Sequence, residues 1–160
     1  MKKLAIYMFL AVLPLYANGQ ALSYKTIENV YYYDSQTVEQ TTHMKEKNLL
    51  DIYGGGLTAG QKEIPSALKE KGFCVIGVGY RLSPNIKAET CIADATAAIA
   101  WVFRNIERYN GDPNQIFVSG HSAGGYLALM AVMDKSWLQK YNLDSDLVAG
   151  LIPFSGHTIT

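Results

Sequence analysis

The stretch Gln115-Ile116-Phe117-Val118-Ser119-Gly120-His121-Ser122-Ala123-Gly124-Gly125-Tyr126-Leu127-Ala128-Leu129-Met130-Ala131-Val132-Met133 passes from a β-rich run into a helix-forming run through Gly120-His121-Ser122-Ala123-Gly124. Ile116, Phe117 and Val118 favour extended backbone, and the Leu, Ala and Met residues beyond Tyr126 favour a helix. Strand, Gly-x-Ser-x-Gly, helix is the context in which that motif sets a nucleophilic serine on a sharp turn. A serine hydroxyl attacks poorly until it is raised out of the sheet towards a base. The turn strains the serine backbone and crowds the residues two before and two after it, so Gly120 and Gly124 fit. The opening of the helix adds backbone N–H groups and a positive dipole end suited to an oxyanion. Ser122 is therefore the expected nucleophile, with the N–H of Ala123 as an oxyanion donor. The same glycines would also let a helix pack closely on a strand, but that reading leaves the serine between them unexplained.

Working outward, Ile27–Asp34, with Val30-Tyr31-Tyr32-Tyr33, reads as a strand by its β-branched and aromatic content. Val38–Lys47 is polar and could be an exposed strand, and Asn48–Tyr53 is a further short strand that stops at Gly54-Gly55-Gly56. Ile64–Lys71 is expected to be a short helix, with Pro65 in its first turn and Gly72 ending it. Phe73–Tyr80 is almost all apolar, as a strand covered on both faces should be. Lys87–Tyr109 is the longest expected helix, with Ile92, Ala95, Ile99, Val102, Phe103 and Ile106 at helical spacing. Asn110-Gly111-Asp112-Pro113 reads as a turn, and Leu147–Phe154 as a last apolar strand. Strands alternating with helices predict an α/β fold: a mostly parallel sheet with helices on both faces.

The chain has 160 residues, enough for one domain with a core, and 14 basic residues balance 14 acidic ones. Nothing in that balance suggests nucleic acid or an anionic membrane as a partner. Lys2 and Lys3 precede the apolar run Leu4–Leu15, and Ala17 and Gly19 are small residues placed for cleavage after Gly19. That pattern predicts a secretory signal peptide over 1–19, a mature domain over 20–160, a secreted or periplasmic protein and no membrane span after cleavage. Cys74 and Cys91 are expected to be two buried small hydrophobes rather than a disulfide.

With these elements in hand, the chain resembles the α/β-hydrolase superfamily, and within it secreted bacterial carboxylesterases of the hormone-sensitive-lipase and feruloyl-esterase-like type. The likeness is carried in order by Leu50-Asp51-Ile52-Tyr53, Gly54-Gly55-Gly56, Gly79-Tyr80-Arg81-Leu82-Ser83-Pro84, Asp94 with Ala97-Ala98 and Trp101, Gly111-Asp112-Pro113 and Gly120–Gly125. It covers most of residues 49–155. It implies a serine carboxylic ester hydrolase acting on short acyl or carbohydrate esters through an acyl-enzyme, with a small-molecule ester substrate and no cofactor. It also implies oxyanion donors at Gly55 and Gly56, joining Ala123. A peptidase or amidase of the same fold would share the elbow, because loops outside it recognise the leaving group.

Two departures shape the expectation further. Tyr53 stands where the family carries histidine before its glycines, and the Leu-Asp-Ile-Tyr strand runs straight into them, as though an intervening strand had been lost. Leu49–Tyr53 is then expected in the central position beside Phe73–Tyr80, parallel to it, although Asp51 suits a covered strand poorly. The second departure concerns the acid and base, which the family supplies after the serine. Asp134, Asp144, Asp146 and His157 are the candidates within these residues. Asp146 and His157 flank the expected strand 147–154, which if straight sets them about 30 Å apart at ~3.3 Å per residue. Neither partner is therefore expected within these residues, and a catalytically incompetent copy is the rival function.

The remaining polar residues read more plainly. His121 is expected in packing or hydrogen-bonding support, His43 in solvent, Asp112 in turn hydrogen bonds and Asp94 paired with a neighbour such as Arg81. Neither a His-Glu-x-x-His helix nor a cysteine–histidine cluster occurs, so no metal is expected. Gly54-Gly55-Gly56 lacks the Lys-Ser or Lys-Thr of a phosphate loop.

Overall fold

The computed structural model describes residues 8–14, 26–33, 49–54, 73–81, 86–109 and 111–156. Their strands are β1 (Met8–Pro14), β2 (Thr26–Tyr31), β3 (Leu49–Gly54), β4 (Cys74–Val78), β5 (Gly111–His121) and β6 (Gly150–Phe154). They form one sheet in the order β2-β3-β4-β1-β5-β6. Only β5 and β6 pair in parallel, while β1 is antiparallel to both β4 and β5, and β3 to both β2 and β4. Those pairings leave β2, β4, β5 and β6 pointing one way and β1 and β3 the other. The parallel character expected of the sheet thus survives in direction, with two reversed strands inserted.

The inserted strands correct one expectation. Leu49–Gly54 does not take the central place: it runs antiparallel to β4, with Asp51 opposite Gly77 and Gly54 opposite Cys74. The place between β4 and β5 goes to Met8–Pro14, which matches Leu10 to Ile76 on one side and to Val118 on the other. An uncharged run suits a doubly covered position better than a strand carrying Asp51, whose carboxylate would need a buried partner there.

The helices are α1 (Ala88–Asn105), continued by a 3₁₀ turn over Ile106–Tyr109, α2 (Ala123–Met133) and α3 (Lys135–Gln139). In α1, Glu89 in the first turn and Arg104 in the last complement the helix dipole. Its expected apolar face is buried, with Ile92, Ala95, Ile99, Val102 and Ile106 joining Ile76, Val78, Ile116 and Val118 in the core. α1 and α2 touch each other and share β5, so they cover the same side of the sheet. The helix expected over 64–71 and the strand expected over 38–47 lie outside the described residues.

Two boundaries also move. Gly111–Pro113, expected as a turn, already belongs to β5, where Gly111 pairs with Pro14 past an irregularity in β1. Asp112 still makes its local hydrogen bonds, accepting from the Asn114 backbone N–H at 2.8 Å. The last strand begins at Gly150 rather than Leu147, because Ser145–Leu147 forms a 3₁₀ turn capped by Asp144. Cys74 and Cys91 are free thiols, each half-buried, and burial pushes the Cys74 thiol up to about 11.

Candidate active site

The carboxyl end of β5 carries the candidate site. β5 ends at His121, α2 begins at Ala123, and Ser122 alone makes the turn between them. Its backbone sits at φ 54° and ψ −119°, a conformation that costs a residue with a side chain about 1–3 kcal/mol. The surroundings hold it there. The Ser122 N–H donates to the Phe154 carbonyl at 2.9 Å, and the Ser122 carbonyl accepts from the Tyr126 N–H at 3.1 Å. The end of β6 therefore clamps one side of the turn, and the first turn of α2 clamps the other.

The glycines follow from that geometry. A Cβ on Gly120 would run into the carbonyl of Gly124, a backbone atom that cannot swing aside. Gly125 is a position that the motif alone did not single out. A Cβ there would come 3.0 Å from the Phe154 carbonyl oxygen and 3.1 Å from the Cα of Gly156. The doubled glycine at 124–125 was the visible signal, but its partner in β6 could not be read from spacing.

Ala123 opens α2, so its N–H is among those with no acceptor inside the helix. It follows Ser122 directly, at the positive end of the helix dipole. The α2 sequence is apolar on nearly every side, and Leu127, Ala128, Ala131 and Val132 are buried, which fixes the helix against the sheet.

Residues 36–150 match the BD-FAE family. The chain belongs to that family. It is an α/β-hydrolase of the carboxylesterase, hormone-sensitive-lipase-like type. Among curated relatives, a probable carboxylic ester hydrolase, LipM, of Mycobacterium tuberculosis is 34% identical over 68% of this chain and 27% of its own length. A fumonisin B1 esterase of Sphingopyxis macrogoltabida is 36% identical over 46% of this chain and 17% of its own. The chain thus spans about a quarter or less of those relatives. The crystal structure of esterase B from Lactobacillus rhamnosis superposes with a TM-score of 0.56 at 18% identity, covering 83% of this chain and 46% of that one. That likeness shows the fold. Both β1 and β2 precede the span matched to the BD-FAE family.

Within this BD-FAE domain the other residues singled out by sequence fall in three places. Asp94 is fully buried and paired with Arg81 as expected: Arg81 donates from Nη2 to Oδ1 at 2.7 Å, and from Nε and its backbone N–H to Oδ2 at 2.9 and 3.1 Å. Tyr33 adds a further donation to Oδ1 at 2.8 Å, while Tyr32 donates to the Gly79 carbonyl at 2.8 Å. Burial and the Asp94 charge both push the Tyr33 phenol up, and the hydrogen bonds to Asp94 push Arg81 up. This knot ties the ends of β2 and β4 together on the edge of the sheet that also carries Ser122.

The acids after Ser122 gather elsewhere. Asp134 caps α3 by accepting from the Ser136 N–H at 3.1 Å, at the far end of α2 from Ser122. Hydrogen bonding from the Ser136 side chain, and then from its backbone N–H, lowers the Asp134 pKa. Asp144 and Asp146 flank Lys135 at 3.7 and 2.7 Å in an exposed cluster ahead of β6, at the end of the sheet away from the elbow. None of these three carboxylates is brought to Ser122. His121 is exposed at the end of β5, which corrects the packing role expected of it.

Gly55, Gly56, His43 and His157 lie outside the described residues. Gly54, just ahead of the two glycines, shares a row across the sheet with Cys74, Val12 and Ile116. Ser122 lies a further stretch of about 20 Å beyond that row, at ~3.3 Å per residue along β5.

Proposed function

We propose that this chain is a serine hydrolase acting on carboxylic esters, with Ser122 as the nucleophile and the Ala123 N–H as an oxyanion donor. The observation that carries the proposal is the strained backbone of Ser122 between β5 and α2. Such strain persists only where neighbouring contacts enforce it, and the strained residue stands at a helix N-terminus, which supports its reading as the nucleophile. Attack by Ser122 Oγ on the ester carbonyl would form a tetrahedral oxyanion beside the Ala123 N–H. Expulsion of the alcohol would then leave an acyl-serine, which water hydrolyses.

Short acyl or carbohydrate-linked esters are the proposed substrates. The family resemblance favours them, and the relatives named as esterases favour esters over amides. Export, with cleavage after Gly19, is proposed from Lys2, Lys3, the apolar run and the small residues that follow. Gly55 and Gly56 could join Ala123 only if their segment reached the carboxyl end of β5, whereas Gly54 leaves β3 at the opposite end. The oxyanion assignment therefore rests on Ala123.

The positions of Asp134, Asp144 and Asp146 favour slow turnover, because none serves a base next to Ser122. A serine without its acid and base partners turns over roughly 10⁴–10⁶ times more slowly, at the rate that binding and oxyanion groups still supply. The purified chain should therefore react with a fluorophosphonate at Ser122 only slowly and hydrolyse p-nitrophenyl acetate only weakly, since both reactions need an activated serine. Ser122→Ala should abolish both. Labelling that survives this substitution, or maps to another residue, would refute the nucleophile.

A further inference from the structure

We propose that the place between β4 and β5 is a strand-acceptor site, filled by Met8–Pro14 of the same chain, and that removal of residues 1–19 opens it to an extended apolar peptide of that same sequence.

β1 uses both of its edges. Met8 to Val12 pair residue by residue with Val78 to Cys74 on one side and with Gly120 to Ile116 on the other. Withdrawing β1 would strip a ladder from each flanking strand at once. Those strands are built for the interior: Val75, Ile76 and Val78 of β4, and Ile116 and Val118 of β5, are buried. Their freed N–H and C=O groups would face a cleft one strand wide, and each group left unsatisfied costs about 1–3 kcal/mol.

The sequence explains why this segment fits. Met8-Phe9-Leu10-Ala11-Val12-Leu13 carries no charge, as a doubly covered strand requires. Pro14 has no N–H to give a ladder, and the register becomes irregular between Val12 and Pro14, so the segment carries its own stop. The same lack of charge makes it the core of the expected signal peptide. One segment thus has two exclusive uses, as a strand inside the domain or as a leader that is cut away. It also lies outside the span matched to the BD-FAE family, whereas β4 and β5 lie inside it.

A first experiment uses the full chain. Val12 is the register partner of Cys74, and antiparallel partners have Cα atoms about 4.5–5.5 Å apart, within disulfide reach. A V12C chain oxidised with copper phenanthroline should form a Cys74 bond within one molecule, identified by peptide mapping. A bond between two molecules would mean that a second copy supplies the strand, and no bond would mean that the slot is not filled by this segment. Either result overturns the proposal.

The second experiment inserts a specific protease sequence after Gly19 of the full chain and nicks the folded protein. Fragment 1–19 should stay bound through gel filtration. Alternate residues of an antiparallel strand bond a given neighbour, so displacement in mild urea should speed amide exchange by at least tenfold at one of Val75 and Ile76 and at one of Phe117 and Val118, and a synthetic Met8–Pro14 peptide with lysine flanks should restore the slow rates. Release of the fragment with exchange unchanged, as would follow if β4 and β5 simply closed on each other, would refute an acceptor site. So would failure of the peptide to restore protection.

Discussion

At the scale of single residues, Ser122 concentrates the tension in the domain. Its positive φ is enforced by the Phe154 carbonyl on one side and by the start of α2 on the other. Glycine adopts such a backbone without steric cost, at the price of extra freedom in the unfolded chain of roughly 0.5–1 kcal/mol. Since the strain is worth about 1–3 kcal/mol, Ser122→Gly should stabilise the fold by about 1 kcal/mol. Ser122→Ala, which keeps the Cβ and therefore the strain, should change stability little. The check is urea unfolding, where Ser122→Gly raises the midpoint with an unchanged slope. A midpoint for Ser122→Gly at or below that of Ser122→Ala would mean that the turn is relaxed and stores nothing. Gly120 is the reverse case. Its Cβ would meet the backbone of Gly124, so the motif glycine is needed for space.

At the scale of elements, the knot of Arg81, Asp94, Tyr33 and Tyr32 joins the end of β2, the end of β4 and the second turn of α1. The Asp94 carboxylate receives the Arg81 and Tyr33 donors and has no exposure, whereas Arg81 retains 18%. Asp94→Ala leaves the guanidinium and the Tyr33 hydroxyl half-buried without their acceptor. Breaking a buried pair from one side costs roughly 3–5 kcal/mol, and the partial exposure of Arg81 argues for the lower end. Asp94→Ala should therefore lower the urea midpoint more than Arg81→Met, which keeps the aliphatic stem packed. Equal losses would show that the two partners contribute as packing rather than as charge. Much of this level was legible in advance. Chemistry local to a few residues, such as the elbow and the apolar face of α1, follows from spacing, and the partner of Asp94 followed from its charge. Strand neighbours did not follow, because register depends on contacts distant in sequence. A short uncharged run such as Met8–Pro14 also looks the same in a leader and in a covered strand. The triglycine segment invited a central place for β3, but spacing carries no information about which strand an apolar competitor will displace.

At the scale of the whole molecule, the two edges of the described sheet differ in what they show to solvent. β6 ends the strand order beside β5, and no described strand lies beyond it. Its residues Ile152 and Phe154 are 46% and 57% exposed, and Leu147 just ahead of it is 51% exposed. Among the described residues this edge is uncovered, and an uncovered edge that shows large apolar side chains is a template for another strand, from this domain or from a second copy. β6 has no charged residue: it reads Gly-Leu-Ile-Pro-Phe. Pro153 lacks an N–H and weakens the edge as a hydrogen-bonding partner, so the apolar side chains should dominate any association. A preparation of these 160 residues should therefore self-associate with rising concentration in sedimentation velocity runs, more strongly in ammonium sulfate, which strengthens apolar burial. Ile152→Lys should shift the population towards monomer without lowering the urea midpoint by more than about 0.5 kcal/mol in stability, since the site is half in solvent. Ser119 lies directly opposite Ile152 and donates its hydroxyl to the Ile152 carbonyl at 2.8 Å, a contact that the substitution leaves in place. Association that is weakened by salt, or unchanged in the Ile152→Lys chain, would place the contact at another surface.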